Sequence, residues 1–289
     1  MRTNTYYNKK RKPVVSNILK YSFLGLILFL TYIPLVAIAL TSFNMSTTET
    51  AFTGFTLKWY VKLFQNGKLM NIILKNTILV SIIATIFATL LGTITAIGIN
   101  SLSKKRRKQM IMLNNVPILN ADIATAILLF IVFQVFGVIF RIDQSSRLNY
   151  FTLVLSHIFF ATPYVVLSVL PKLGEIDKNL YDAALDLGCK PRKAILKVII
   201  PAIKMGIFTG AMLAFTMSID DFVISYFVGG DSAQNFSTWF YTNRKTQRSG
   251  QAQLAAAYNT LLTMITITAL VVYNIIKRKK EKKLKWKNY

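Results

Sequence analysis

The sequence predicts an all-α membrane protein that crosses the bilayer six times. Of its 289 residues, 53% are hydrophobic and only 16% are charged, and the mean hydropathy is +0.45. That composition is too apolar for the surface of a soluble protein. The apolar residues are also gathered into long uncharged runs instead of being spread along the chain. Together these two observations predict a polytopic, multi-pass membrane protein.

Each predicted span is a run of about 20 mostly apolar residues, the length that an α-helix needs to cross the hydrocarbon core. Proline and glycine inside such runs are tolerated because neighbouring helices can satisfy the freed backbone groups. In chain order, the six runs cover residues 21–41, 75–99, 116–140, 150–170, 205–228 and 254–276.

The distribution of basic residues predicts the orientation of the spans. The formal net charge of +24 would suggest a nucleic-acid partner, but the charges lie in blocks between apolar runs and form no phosphate-binding face. Of the 35 Lys and Arg residues, 26 fall in one set of alternate segments and nine in the other. By the positive-inside rule, we expect both termini and the loops at 100–115 and 171–204 to be cytoplasmic.

These patterns divide the chain into a basic N-terminus (1–20), a six-span domain (21–276) and a basic tail (277–289) that we expect to contact anionic lipid head groups. The first run could instead be a secretory signal, since Ala37-Ile38-Ala39 matches a small-residue cleavage site. However, the run exceeds the roughly 7–15 apolar residues of a signal peptide, so we favour a retained helix.

Several kinds of chemistry are excluded by residue counts. Cys189 is the single cysteine, which excludes an internal disulfide or a cysteine metal cluster, and His157 is the single histidine, which excludes an HExxH zinc site. The sequence also lacks a P-loop for binding ATP. We therefore expect neither a cofactor nor a metal, and no ATP hydrolysis by this chain.

The loop at 171–204 has the pattern of a helix-turn-helix. Residues 178–187 have helical spacing with small residues on one face, and Gly188 follows as a left-handed C-terminal cap. Pro191 suits the first position of a second helix, and Pro201 is expected to mark the junction with span five. A small-residue face with a sharp turn favours a surface that a partner protein grips, although a plain connector between two spans is the alternative.

This loop resembles the cytoplasmic signature of the inner-membrane permeases of ABC importers, which is Glu-Ala-Ala, three residues, Gly, and a helix closing in an apolar pair and Pro. The chain has Asp182 where that family usually has Glu, a difference of one methylene. The resemblance implies a type I importer permease fold in which Asp182, Ala183, Ala184, Gly188 and Pro201 couple to a separate ATP-hydrolysing subunit. The matching stretch is Asp182-Ala183-Ala184-Leu185-Asp186-Leu187-Gly188, followed by Val198-Ile199-Ile200-Pro201.

The resemblance extends over nearly the whole chain. Further matching residues are Gly54 to Tyr60, Asp122, Ser156-His157-Ile158 and Phe215 to Ser225. Within the family, these residues most resemble those of the PotC-type permeases of spermidine/putrescine importers. This narrower resemblance implies transport of a polyamine across a bacterial plasma membrane. It also implies three kinds of protein partner: a dimer of ATPase subunits, a second homologous permease and an extracellular solute-binding protein.

Carboxylates inside spans are candidates for the substrate path, because an ionisable group in hydrocarbon generally faces a cavity. Asp122, Asp220 and Asp221 are the three acids in predicted spans. Ser218, Asp221 and Ser225 fall on one helical stripe, so we expect Asp221 on the path and Asp220 in a helix-helix contact. Alternatively, both carboxylates have structural roles.

The function predicted from the sequence is a permease subunit that imports polyamine by alternating access. An importer for another solute, such as a metal chelate or a small anion, is the alternative within the same class. A channel is disfavoured because the helix-turn-helix would then have no purpose. An intramembrane enzyme is disfavoured because the spans offer no convergent nucleophile, base and metal ligands.

Overall fold

The described part of the chain is helical, with one isolated antiparallel bridge between Asn44 and Phe55. The computed structural model describes residues 14–47, 51–177, 179–230, 233–244 and 250–287. The α-helices are α1 Val14–Ser42, α2 Lys58–Gln65, α3 Gly67–Asn71, α4 Val80–Asn100, α5 Lys104–Leu119, α6 Asp122–Ile139, α7 Tyr150–Gly174, α8 Asn179–Asp186, α9 Pro191–Ala194, α10 Ile200–Ile219, α11 Val223–Val228, α12 Phe236–Arg244 and α13 Gln251–Lys287. A 3-10 turn covers Gln144–Ser146, and π-helical segments cover Ile72–Leu79 and Ile195–Ile199.

The helices confirm the predicted all-α, multi-span class. Five helical stretches in the described residues are long and apolar enough to cross a membrane: Lys20–Ser42, Gly67–Asn100, Asp122–Ile139, Tyr150–Gly174 and Pro191–Ile219. The sixth predicted run, at 254–276, lies inside the 37-residue helix α13.

The predicted third span began too early. Residues 116–119 belong to α5, which starts in the basic run at Lys104, and the chain is extended at Asn120 and Ala121 before α6 begins at Asp122. Pro117 supplies no amide hydrogen to α5, and the Asn120 side chain donates to Thr125 Oγ1 at 3.2 Å. The third span is therefore α6 alone.

The predicted fifth span had both ends misplaced. Helical backbone starts at Pro191 and passes through the π-helical segment Ile195–Ile199 without interruption, so Pro201 does not mark a junction. Ile200 N–H donates to Ile195 O, and this wider turn accommodates a proline ring that would clash with the carbonyl four residues earlier. At the other end, α10 stops at Ile219, and the short helix α11 starts only at Val223.

One compact unit, Asn66–Gln247, has its core where α4, α7 and α10 pack together. Small residues allow this close packing: a Cβ atom on Gly92 would lie 2.6 Å from Val165 Cβ, and one on Gly210 would lie 3.1 Å from Val165 Cγ1. Small residues at helix contacts are typical of membrane bundles, where van der Waals packing drives association. This packing fixes the position of α7 beside the end of α10.

The other compact unit joins residues 1–65 to 248–289. In this unit, Trp59 of α2 is 2% exposed, and its indole N–H donates to Asn44 O at 2.7 Å. Gly250, at φ +87°, lies where a Cβ would overlap the Trp59 ring. The tryptophan therefore packs within the protein.

Candidate functional site

The turn after α8 is a complete Schellman motif. Gly188 N–H donates to Leu185 O at 2.8 Å and Cys189 N–H donates to Ala184 O at 3.0 Å, while Gly188 adopts φ +81°. Lys190 then occupies the N-cap position of α9 in an extended conformation, and Pro191 lies in its first turn. The helix-turn-helix predicted for this loop is confirmed for the described residues; position 178, where the first helix was expected to begin, lies outside them.

The helix-turn-helix presents most of its signature residues to the outside. Asp182, Ala183 and Gly188 are exposed, and Leu187 is 86% exposed at the turn. Ala184 is buried against the second arm of the motif, where Ala194 is also buried. The Leu187 side chain therefore stands free at a well-defined turn, where it is accessible to a partner. Pro201 lies away from this turn, in the first turn of α10.

The two adjacent carboxylates lie in the break between α10 and α11, at residues 220–222. Asp220 is the C-cap of α10 and its backbone is no longer helical, with φ −98° and ψ 3°. Because the helix is interrupted here, the angle of about 100° between adjacent side chains of a helix does not apply to Asp220 and Asp221. The backbone break therefore lets the carboxylates enter different environments.

Asp221 is turned into the protein and caps α11. Its side chain is 7% exposed. Ser225 N–H and Ser225 Oγ–H donate to its Oδ2 atom at 2.7 and 2.8 Å, and Ile224 N–H donates to Oδ1 at 3.3 Å. Hydrogen bonds from the first turn of a helix offset the cost of burying a carboxylate.

Asp220 is exposed, and its carboxylate has no hydrogen-bond or ion-pair partner within the described residues. It lies at the carboxyl end of α10, where the helix dipole adds further negative potential. The side-chain exposures therefore favour a different division of roles from the expected one, which placed Asp221 on the path and Asp220 in a helix contact.

His157 of α7 meets the predicted polar stripe. The imidazole is 2% exposed, with Nδ1 2.5 Å from Ser218 Oγ and Nε2 3.1 Å from Ser225 Oγ and 3.5 Å from Asp221 Oδ2. Ser218 and Ser225 are themselves 1% and 2% exposed. The stripe thus faces a histidine inside the protein, and His157 bonds α7 to both α10 and α11.

Two asparagines that the sequence did not single out complete the support of the break. Asn235 Nδ2 donates to Asp221 O, and Asn76 Nδ2 donates to Gln234 O at 2.6 Å while accepting from Tyr150 Oη at 2.7 Å. Asn76 lies in the π-helical segment Ile72–Leu79, which is a helical form often found at functional sites. No local sequence signal could identify these residues, because their partners are far away in the chain.

Three aromatic rings cluster beside the break. The ring centroid of Phe222 lies 5.6 Å from that of Tyr226 and 5.2 Å from that of Tyr241, and the centroids of the two tyrosine rings are 5.6 Å apart. Tyr226 is 45% and Tyr241 is 44% exposed. Phe222 lies in the break and Tyr226 in α11, while Tyr241 comes from α12. Exposed tyrosine rings can bind an ammonium group through their faces.

Asp122, the third predicted path residue, is exposed in the first turn of α6, a position that suits a carboxylate because the amino end of a helix is positive. Among the residues described, the recorded hydrogen bonds of the Asp221 side chain come from Ile224 and Ser225 and not from Asp122. Within that part of the chain there is also no group of three or more His, Cys, Asp or Glu side chains that could hold a metal ion.

The chain is similar to several transport permeases. It is 29% identical to the spermidine/putrescine transport system permease protein PotC of Escherichia coli (strain K12), over 93% of this chain and 97% of that protein. It is 26% identical to the putrescine transport system permease protein PotI of the same strain, over 88% and 89% of the two chains. A PotC homolog of Mycoplasma genitalium is 27% identical over 96% of this chain and 99% of that protein.

A solved structure shows the same fold. A bacterial ABC transporter involved in the import of the acidic polysaccharide alginate matches with a TM-score of 0.67 at 18% identity, over 89% of this chain and 96% of that chain. The family model described as "binding-protein-dependent transport system inner membrane component" matches residues 88–285, a range that includes the helix-turn-helix, His157 and both carboxylates of the break. The chain therefore belongs to this family of ABC-importer inner-membrane permeases.

Proposed function

We propose that the chain is the permease subunit of an ATP-driven importer of polyamines. The observation that carries this proposal is the exposed Asp220 carboxylate at the carboxyl end of α10, which has no partner among the described residues. The end of an interrupted membrane helix is a recurrent position for the ion and substrate sites of transporters. A carboxylate and a helix carboxyl end together favour a cation.

The two acids of the break differ in how available their carboxylates are to a cation. Asp221 already receives three hydrogen bonds from α11 and lies 3.5 Å from the His157 imidazole. A cation would have to displace these partners to use Asp221, whereas Asp220 needs no rearrangement. We therefore assign Asp220 to substrate contact and Asp221 to the support of the break.

The aromatic cluster of Phe222, Tyr226 and Tyr241 supports a polyamine over an anion. A polyamine carries several ammonium groups separated by methylene chains, so it needs negative or aromatic partners for the charges and apolar contact for the chain. A carboxylate followed by three packed rings provides both kinds of contact. A small anion would be repelled by the same carboxylate.

The helix-turn-helix is proposed to dock on the ATP-hydrolysing partner. Its rigid Schellman turn and the 86% exposed side chain of Leu187 are suited to a preformed groove. The other proposed partners are a second, homologous permease, which completes the path, and an extracellular solute-binding protein, which delivers the polyamine. ATP hydrolysis is assigned to a dimer of separate subunits, and membrane lipid contacts the exposed apolar faces of the spans.

The substrate prediction can be tested by uptake in a strain that lacks its own polyamine importers. Cells that express the chain with its partner subunits should accumulate radiolabelled spermidine or putrescine. Unlabelled polyamine should compete with this uptake, and a neutral sugar should not. Uptake of a metal chelate or an anion in place of polyamine would contradict the proposal.

The proposed orientation places both termini in the cytoplasm, and cysteine labelling tests it. Cys189 is first replaced by serine, and single cysteines are then introduced at Ser46 and Ser237, which lie in segments expected outside. Both should react with a membrane-impermeant maleimide on intact cells, because the flanking segments carry few basic residues.

A matched control for this labelling is Ser103→Cys, an exposed position beside the basic start of α5. It should react only after the cells are permeabilised. Labelling of Ser103→Cys on intact cells, with protection of the other two positions, would reverse the topology.

A further inference from the structure

One buried imidazole joins the two helices on either side of the break. His157 comes from α7, yet its Nδ1 atom meets Ser218 at the end of α10 and its Nε2 atom meets Ser225 in α11. Because α7 is fixed by close packing against α4 and α10, the ring is held on a rigid element. This one side chain therefore links the end of α10 to α11 across the break.

The surrounding hydrogen bonds indicate which atom donates and which accepts in each contact of His157. Ser225 Oγ–H donates to Asp221 Oδ2 at 2.8 Å, so its oxygen is left to accept from His157 Nε2–H. With the proton on Nε2, a neutral imidazole accepts from Ser218 Oγ–H at Nδ1. The result is a continuous chain of hydrogen bonds from Ser218 through His157 and Ser225 to the Asp221 carboxylate. In this chain the Ser218 hydroxyl donates, and the Ser225 hydroxyl both accepts and donates.

This chain holds the Asp221 carboxylate over the first turn of α11. If the imidazole were lost, Ser218 Oγ and Ser225 Oγ would each lose a hydrogen-bond partner inside the protein. A buried polar group without its partner is unfavourable, so the break would relax from this geometry and would no longer hold Asp220 in its observed position. The position of Asp220 thus depends on Asp221 staying in place as the cap of α11.

We propose that His157 is a positioning residue for the substrate site: its Nε2–H bond to Ser225 retains Asp221 as the cap of α11 and leaves Asp220 as the single outward carboxylate of the pair. This proposal rests on the proposed polyamine function for its consequence in transport. Its consequence for the structure of the break does not depend on the identity of the substrate.

The test compares His157→Leu with His157→Gln and His157→Asn. The amide nitrogen of glutamine reaches the position of Nε2, and that of asparagine reaches the position of Nδ1. Uptake is measured against polyamine concentration and normalised to assembled complex. We expect His157→Leu to raise KM about tenfold or more, as fits loss of one interaction with a charged group. His157→Gln should restore KM to within about threefold, and His157→Asn should not.

A second measurement is independent of the substrate. Val228 of α11 is buried, so Val228→Cys, made with Cys189→Ser, should react slowly with a maleimide. We expect His157→Leu to raise this labelling rate about tenfold, and His157→Gln to restore it.

The outcomes separate the two proposals. Faster labelling of Val228→Cys with rescue by glutamine supports the positioning role even if no polyamine is transported, which would overturn only the proposed substrate. An unchanged labelling rate overturns the positioning role. An unchanged KM in the assembled His157→Leu complex also overturns it, because a purely structural histidine would lower the amount of complex without changing substrate affinity.

Discussion

Replacing Gly188 with valine is expected to abolish uptake while leaving the permease in the membrane. Gly188 adopts φ +81° in the Schellman turn, a region that a β-branched residue avoids at a cost of about 1–2 kcal/mol or more. A Cβ at Gly188 has nothing within 4 Å, so the strain comes from the backbone conformation and not from a clash within the chain. The turn should therefore change shape and present Leu187 wrongly to the ATPase subunit.

Asparagine at the same position is the matched control. It is close to valine in size, but it enters the left-handed region far more readily. We expect Gly188→Asn to retain most of the uptake and Gly188→Val to retain almost none. Co-purification of the ATPase subunit should follow the same order, while the solute-binding protein still binds its ligand.

Two results would contradict this prediction for Gly188. Normal uptake and normal co-purification of the ATPase with Gly188→Val would remove the docking role of the turn. Equal loss with both variants would show that the partner approaches the glycine too closely for any side chain, so that the left-handed conformation is not the decisive property.

Asp220→Asn is expected to lower polyamine uptake about tenfold or more with little loss of assembled complex. The substitution keeps the size of the side chain and removes the negative charge, and an interaction with a charged group contributes about 1.5–3 kcal/mol. Because Asp220 is exposed and its carboxylate has no partner among the described residues, its substitution should not disturb the packing of α10. Uptake per assembled complex measures the effect.

Asp221→Asn provides the comparison in the neighbouring position. It converts one accepting oxygen of the α11 cap into an amide donor, so the contacts with Ser225 and Ile224 cannot all persist. We expect a lower yield or lower thermal stability of the complex, with near-normal uptake by the complexes that assemble. Normal uptake by Asp220→Asn with loss of uptake by Asp221→Asn would restore the assignment first expected from the helical stripe.

Local signals in the sequence determined the all-α class, most of the helices and the turn at Gly188. A long apolar run needs no distant partner to form a helix in a bilayer, because the backbone bonds of a helix lie within the segment. Glycine and proline act on their own backbone angles, so the Schellman turn and the start of α9 followed directly from Gly188 and Pro191.

Only the tertiary structure decided which residues meet at the break. The stripe of Ser218, Asp221 and Ser225 was visible as a pattern, but its partner His157 is 61 residues from Ser218 in the chain. No glycine or proline in the sequence marks the end of α10 at Ile219. The break is stabilised instead by the buried Asp221 carboxylate, which accepts from the first turn of α11, and by His157 of α7. Which of two adjacent carboxylates is buried is a property of those distant contacts, and helical spacing alone cannot decide it.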